Sequence, residues 1–277
     1  MGVWDSPSRL TRRPDGWQDA APPRRGRTVQ VAGADLIRFG SGASDQASYL
    51  GHVGAEPWFA ESVPDAADAV PSREASLTET EQELVARGLA LTHWHRQARH
   101  CEGCGAPTAP ERLGASRRCP ACGAQSFPRT DPAVIVAVLD DSDRLLLAHQ
   151  PSWPPGRVSV LAGFVEAGES AEQACHREIY EEAGVRLRGL RFFATQPWPY
   201  PRSLMLAFFA SADNDRVRAD GVELSWARFF SRQEAADAIA AGRIVLPNPV
   251  SVAHRMIQAW LSAAVSVDSV RGQAQPQ

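Results

Sequence analysis

The 23-residue run Gly163–Val185, GFVEAGESAEQACHREIYEEAGV, gathers four of its six glutamates, Glu169, Glu178, Glu181 and Glu182, beside one another on or next to one short helix. Ser170 with Gln173 three residues on is a helix-start spacing, and Gly184 is a helix stop. Residues three and four apart share a helical face, so Glu178 lies one turn before Glu181 and Glu182. Acids gathered in this way repel one another unless a cation lies among them. Most Glu-rich helices are simply solvated. Here Gly163 and Gly168 allow the backbone before the helix to come close, and Arg177 can hold a carboxylate by paired hydrogen bonds. The pattern predicts a site for hard divalent cations, Mg2+ or Mn2+, of the kind that neutralises phosphate groups.

A second cluster lies upstream. Cys101-Glu-Gly-Cys104 and Cys119-Pro-Ala-Cys122 are two CxxC knuckles within 22 residues, with Gly103, Gly105 and Gly123 available for tight turns. Four thiolates at this spacing close a tetrahedral Zn2+ site with no open position, which makes it structural, one ion per chain, and the segment a zinc ribbon. His93, His95 and His100 are nearby substitutes that such a site does not need. The fifth cysteine, Cys175, falls inside the acidic helix and reads as a small buried residue. An odd count concentrated in this way argues against a secreted disulfide framework.

The 277 residues allow two ordinary domains, and a net charge of -3 demands neither nucleic acid nor an anionic membrane as partner. No apolar run approaches a membrane span and the opening residues lack a signal-peptide apolar segment, so the expectation is a cytoplasmic protein. From Thr28 to Phe59, short apolar pieces between Gly and Ser predict small antiparallel strands; Thr78 with Glu81 caps a helix over 78–99. AVIVAVLD and RLLLAHQ around Asp-Asp-Ser-Asp predict a hairpin. Further strands are expected at 157–161, 190–196, 203–211 and 223–230, and helices at 170–183, 232–241 and 249–265.

The acidic run matches Gx5Ex7REUxEExGU, with U aliphatic, through Gly163, Glu169, Arg177, Glu178, Ile179, Glu181, Glu182, Gly184 and Val185. It resembles the box of the Nudix hydrolases. Thr195-Gln-Pro-Trp-Pro-Tyr-Pro-Arg-Ser203 resembles the SQPWPFPxS signature of the NADH pyrophosphatase (NudC) branch of that family. Thr195 replaces Ser and Tyr200 replaces Phe, so hydroxyl and ring both survive. The likeness is dense from Cys101 to about Trp260 and thin before Thr78.

The resemblance implies a mixed α+β fold: residues 1–98 as a small N-terminal α/β domain with about the first 27 poorly ordered, 99–127 as the zinc ribbon, 128–265 as an α/β/α Nudix sandwich, and 266–277 as a disordered tail. It implies two to three Mg2+ or Mn2+ ions on Glu178, Glu182, the Ala162 carbonyl and Glu223 from a strand, with Glu169 as a further candidate. Glu178, Glu181 and Glu182 are the catalytic set, and the base among them is left open. Substrate contacts fall on Phe127, Gln196, Pro197, Trp198, Pro199, Tyr200, Pro201, Arg202, Ser203 and Ala253, with Arg73 as a basic candidate. Gly114 stands where some relatives carry a contacting Glu, and Glu111 is a substitute. The implied reaction is hydrolysis of NADH or NAD+ to AMP and nicotinamide mononucleotide, and removal of the NAD cap from RNA, by a homodimer. The alternatives are a Nudix hydrolase of ADP-ribose or diadenosine polyphosphate, or a zinc-ribbon nucleic-acid-binding regulator whose Nudix fold senses nucleotide.

Overall fold

The alternating pieces after Thr28 become strands β1 (Arg27–Ala32), β2 (Leu36–Ser41), β3 (Ser48–Val53), β4 (Glu56–Ser62) and β5 (Val70–Pro71) of one sheet, in the order β3-β4-β1-β2-β5. The computed structural model describes residues 2–12, 25–64 and 68–272. β1–β2 and β3–β4 are antiparallel as expected, but β1 and β4 pair in parallel, Val29 opposite Ala60. Local alternation carries no information about which hairpin strands become neighbours; the parallel pairing lets Val29, Val31, Trp58 and Ala60 enter one apolar cluster. Helix α1 (Glu79–Gln97) starts at Thr78, whose hydroxyl accepts from the Glu81 amide, and sets Leu84, Val85 and Leu89 against that cluster.

Buried Glu83 accepts hydrogen bonds from the Ser8 hydroxyl at 2.7 Å and the Arg9 amide at 3.2 Å, and Leu10 joins the core. Residues 2–12 are therefore placed, which corrects the expected poor order of the opening over that stretch; 13–24 lie outside the described residues. The cysteine segment forms a three-stranded antiparallel sheet, β6 (Ala109–Glu111), β7 (Ser116–Arg118) and β8 (Gln125–Ser126). These elements, with Pro197–Ser203, make the first of two compact units; Asp131–Gln196 and Leu204–Gln277 make the second.

The second unit is organised by β9 (Asp131–Leu139), whose apolar run is buried on both faces. Val134, Val136 and Val138 face one cluster; Ile135, Ala137 and Leu139 face another, as period-two alternation requires. Around it lie β10 (Leu145–His149), β11 (Leu161–Phe164), β12 (Leu187–Trp198), β13 (Ser203–Ala212) and β14 (Trp226–Phe230), in the order β12-β13-β9-β10-β14 with β11 on β9. Helix α2 (Ala171–Ala183) covers the first face through Ala174, Cys175 and Ile179. α3 (Arg232–Ala240) and α4 (Val252–Leu261) cover the other through Ala235, Met256 and Trp260. This is a mixed α/β sandwich.

Four expectations need correction. The strand placed at 157–161 begins only at Leu161, and the one placed at 223–230 begins at Trp226. The final long helix is shorter, because Ser251 caps it by accepting from the His254 amide at 3.2 Å. The tail is not disordered throughout: α5 (Val267–Arg271) buries Val267 and Val270, while 273–277 lie outside the described residues.

The surroundings of Gly114 hold that position to glycine. Its φ is +85°, and a Cβ would stand 2.3 Å from Ser48 Oγ and 2.9 Å from Ser48 Cα. Replacing Gly114 with Ala should cost at least about 1–3 kcal/mol of stability from backbone strain alone. Urea unfolding of Gly114→Ala checks this, and an unchanged midpoint would show that neither the positive φ nor the contact with Ser48 constrains this position.

Candidate active site

α2 carries the acidic cluster because both ends are fixed: Ser170 accepts from the Gln173 amide at 3.1 Å, and Gly184 closes the helix at φ +68° with its amide on the Tyr180 carbonyl at 2.9 Å. Glu178 turns toward β11 and lies directly on Gly163. A Cβ at 163 would meet Glu178 Cδ at 1.9 Å and both carboxylate oxygens at 2.2 Å. The glycine of the box is thus the space that Glu178 occupies.

Arg177 organises the remaining acids. Its Nε and Nη2 donate to the two oxygens of Glu169 at 2.9 Å each, and Nη1 donates to Glu178 at 2.8 Å and to Glu181 at 3.1 Å. Nη2 also reaches the Phe164 carbonyl at 2.8 Å, which ties the helix to β11. The guanidinium holds the Glu169 carboxyl below its ordinary range. Glu178 is raised despite Arg177, chiefly by burial. Glu182 is buried and pushed up to about 8, by burial first and then by the charges of Glu178, Glu223 and Asp220; it also shares a hydrogen bond with Glu178. Two carboxyls so close raise each other's proton affinity.

Glu223 is brought near this cluster by a loop rather than by a strand, a correction to the sequence expectation. The Asp220 carboxylate accepts from the amides of Val222, Glu223 and Leu224 at 2.9–3.2 Å, and the Asp220 amide donates to the Glu182 carbonyl at 3.0 Å. Sequence reasoning missed Asp220. Its signal was present in Asp220-Gly-Val-Glu, since Asp commonly folds a turn onto the amides two residues ahead. Ala162 lies on β11 opposite Ile135, and exposed Phe164 follows Gly163.

The signature loop separates into different roles by position. Gln196 is buried: its Nε2 donates to the Val250 carbonyl at 2.7 Å and its Oε1 accepts from the Val252 amide at 2.6 Å, which fixes the start of α4 beside buried Ala253. Within the first unit, Tyr200 exchanges a hydrogen bond with the Ser72 hydroxyl at 2.7 Å and lies under the Arg73 guanidinium, 4.8 Å from the ring centre. Trp198 meets Tyr200 edge-on at 5.0 Å, Arg202 donates to Gln97 at 3.4 Å, and the Pro201 carbonyl accepts from His93. Pro197 and Ser203 are partly exposed and Pro199 is buried, while Phe127 is 52% exposed. Arg73 is paired with Asp35 at 3.1 Å, and Glu111 with Arg118 at 2.9 Å.

Cys101, Cys104, Cys119 and Cys122 bring their sulfurs within 4.8 Å of one another, with 3.5–3.6 Å between three of the pairs. A disulfide would need about 2.05 Å, whereas sulfurs about 2.3 Å from a common tetrahedral ion stand about 3.8 Å apart. The Cys122 amide helps to draw the Cys119 thiol down to about 7, toward the thiolate that binds metal. Among the described residues no other group of three or more metal-ligand side chains is this compact, so the box glutamates are neighbours without being closed into a cage. His93 and His95 point to backbone carbonyls of Ala34 and Gly114 rather than to the thiols. Cys175 is fully buried, and burial raises its thiol to about 12.

The raised Glu182 sets a pH dependence for the metal-free chain. The unfolded carboxyl ionises near 4.5 while the folded one keeps its proton to about 8, so stability is full below the lower value and declines as pH rises through this window. Urea midpoints in chelator from pH 5 to 8 should fall, and Glu182→Gln should flatten the decline. An equal slope in both proteins would remove Glu182 as the cause.

The NUDIX domain model matches residues 129–248. The chain is 39% identical over 273 residues, 88% of its length and 87% of the relative's, to "NAD-capped RNA hydrolase NudC" of Mycobacterium bovis, and equally so to the protein of that name from Mycobacterium tuberculosis. It is 36% identical over 197 residues to "NAD-capped RNA hydrolase NUDT12" of Homo sapiens, spanning 67% of this chain and 43% of the human one. With that identity along nearly its whole length, and the box residues gathered around Gly163, the chain belongs to the Nudix family, in its NudC branch.

Proposed function

We propose that this chain is a metal-dependent diphosphatase that adds water across the pyrophosphate of NADH or NAD+, releasing AMP and nicotinamide mononucleotide, and that it removes the NAD cap from RNA to leave a 5'-monophosphate. The observation that carries this reading is the 39% identity over 273 residues with an NAD-capped RNA hydrolase. The chemistry of the acidic site supports it, since a buried Glu182 facing Glu178, Glu223 and Asp220 is an arrangement suited to divalent cations.

Glu178, Glu182, Glu223 and the Ala162 carbonyl are assigned to hold Mg2+ or Mn2+, with Glu169 more remote because both of its oxygens are bound to Arg177. When bound, such ions neutralise phosphate charge and acidify a water molecule. The residues do the rest. Gly163 leaves room for Glu178, Arg177 fixes its rotation, Asp220 holds the Glu223 loop, and Glu182 must release its proton before it can serve as a ligand. Exposed Glu181, joined to the cluster only at the edge of Arg177, is free to act on water. Substrate contacts are assigned to Phe127, Trp198, Tyr200 and the loop Pro197–Ser203, with Gln196 positioning Ala253 through the start of α4. The cysteines are assigned to one structural Zn2+ in a zinc ribbon, and the working form to a homodimer.

Product analysis with Mg2+ or Mn2+ on NADH, NAD-capped RNA, ADP-ribose and diadenosine compounds tests the assignment. AMP and nicotinamide mononucleotide should appear fastest from the nicotinamide dinucleotides, and Glu178→Gln should lower kcat by about a hundredfold or more. Preference for ADP-ribose would overturn the substrate. For the cysteines, the purified chain should release one zinc per chain on acid denaturation, and Cys119→Ser should lose both the ion and several degrees of Tm. Metal-free protein with full stability would contradict the structural role.

A further inference from the structure

A cavity of about 1000 Å³ lies wholly within the first unit, bounded by α1, β4 and the cysteine segment. Arg96, Arg99, Arg117, His95 and His100 line it. None of the three guanidinium groups is paired with a carboxylate among the described residues. Arg117 is 8% exposed, and its partners are the Thr108 hydroxyl at 2.7 Å, the Thr108 carbonyl at 2.7 Å and His95 Nδ1 at 3.0 Å, all neutral. His95 gives its other nitrogen to the Gly114 carbonyl at 2.9 Å and is held in its neutral form by burial. Arg96 donates to the Ser62 hydroxyl and to the carbonyls of Gly33 and Val31. Exposed Arg99 has no carboxylate partner among the described residues, and its charge adds to burial in lowering both Arg96 and Arg117. Two acids reach the rim: Asp45 is exposed, and Glu61 already accepts from Gln30 at 3.0 Å and from the Ser44 amide at 3.3 Å.

A buried cation without an anion is costly, and arginine forks match phosphate oxygens in pairs. Resting on the decapping reading above, we propose that this cavity is a docking site for the phosphodiester backbone of the RNA strand attached to the cap. Its volume is at the upper end of small-ligand pockets, more than one phosphate would fill. The hydroxyls of Ser62 and Thr92 also line the cavity, neutral groups suited to backbone rather than base recognition.

The test uses the full chain, a short 5'-monophosphorylated single-stranded RNA followed by fluorescence anisotropy, and inorganic phosphate in a separate titration. Arg99→Gln should weaken RNA binding several-fold and reduce the slope of log K against log salt by about 1. Arg99→Lys should restore most of both, and Arg243→Gln, an equal charge change on the other unit, should leave them as in wild type. NADH turnover of Arg99→Gln should equal wild type while its kcat/KM on NAD-capped RNA falls by the same factor as the affinity. RNA binding unaffected by Arg99→Gln, or an equal loss on NADH and capped RNA, would overturn the proposal. So would Arg99-dependent binding of inorganic phosphate without RNA binding, which would make the occupant a free phosphate. Absence of wild-type turnover on both substrates would instead sink the diphosphatase reading, and the binding titration reports independently of it.

Discussion

The crowding of carboxylates at the inner face of α2 is the constraint from which the site takes its form. Burial first, and then the like charges of Glu178, Glu223 and Asp220, push Glu182 up to about 8. Arg177 relieves the crowding on one side only. Its donors go to Glu169, Glu178, Glu181 and the Phe164 carbonyl, which leaves Glu182, Glu223 and Asp220 without that cation. The geometry is held by groups that are not themselves acidic: the vacant Cβ position of Gly163 and the caps at Ser170 and Gly184. Such a site is prepared for charge that comes from outside the chain.

That preparation depends on β9. Because its alternate residues enter two different cores, the strand is fixed in register from both faces, and a slip of one residue would exchange Val134, Val136 and Val138 with Ile135, Ala137 and Leu139. β11 is paired to β9 with Gly163 opposite Val134, so the register of the central strand also sets where Glu178 can lie. Packing and electrostatics meet at that glycine. A mutation deep in either core that shifted β9 would reach the acidic site through β11.

What was legible in the sequence followed from how local the causes were. The helix at Glu178 was readable because its caps, its three- and four-residue spacing and its acids lie within 23 consecutive positions. The cysteine cluster was readable for the same reason, since two knuckles carry all four thiols. Glu223 was found by resemblance, yet its setting was not, because the loop is shaped by Asp220 folding onto the amides ahead of it and by the carbonyl of Glu182, a contact 38 positions away. The parallel pairing of β1 with β4 was invisible for a related reason: alternation states which face is apolar and says nothing about the neighbouring strand. The need for glycine at 114 was invisible likewise, because Ser48, far away in sequence, fills the space a side chain would take.

The two units handle charge in opposite ways. In the second, acids accumulate around Glu182 beyond what Arg177 can neutralise; in the first, Arg96 and Arg117 have neutral hydrogen-bond partners and exposed Arg99 has no carboxylate partner among the described residues. Neither excess stabilises the unit that carries it, since a buried or crowded charge lacking its counter-ion is worse than an apolar side chain of similar size. Each is therefore better explained by a ligand than by folding: cations for the carboxylates, phosphate for the guanidinium groups. The net charge of -3 therefore conceals two excesses of opposite sign.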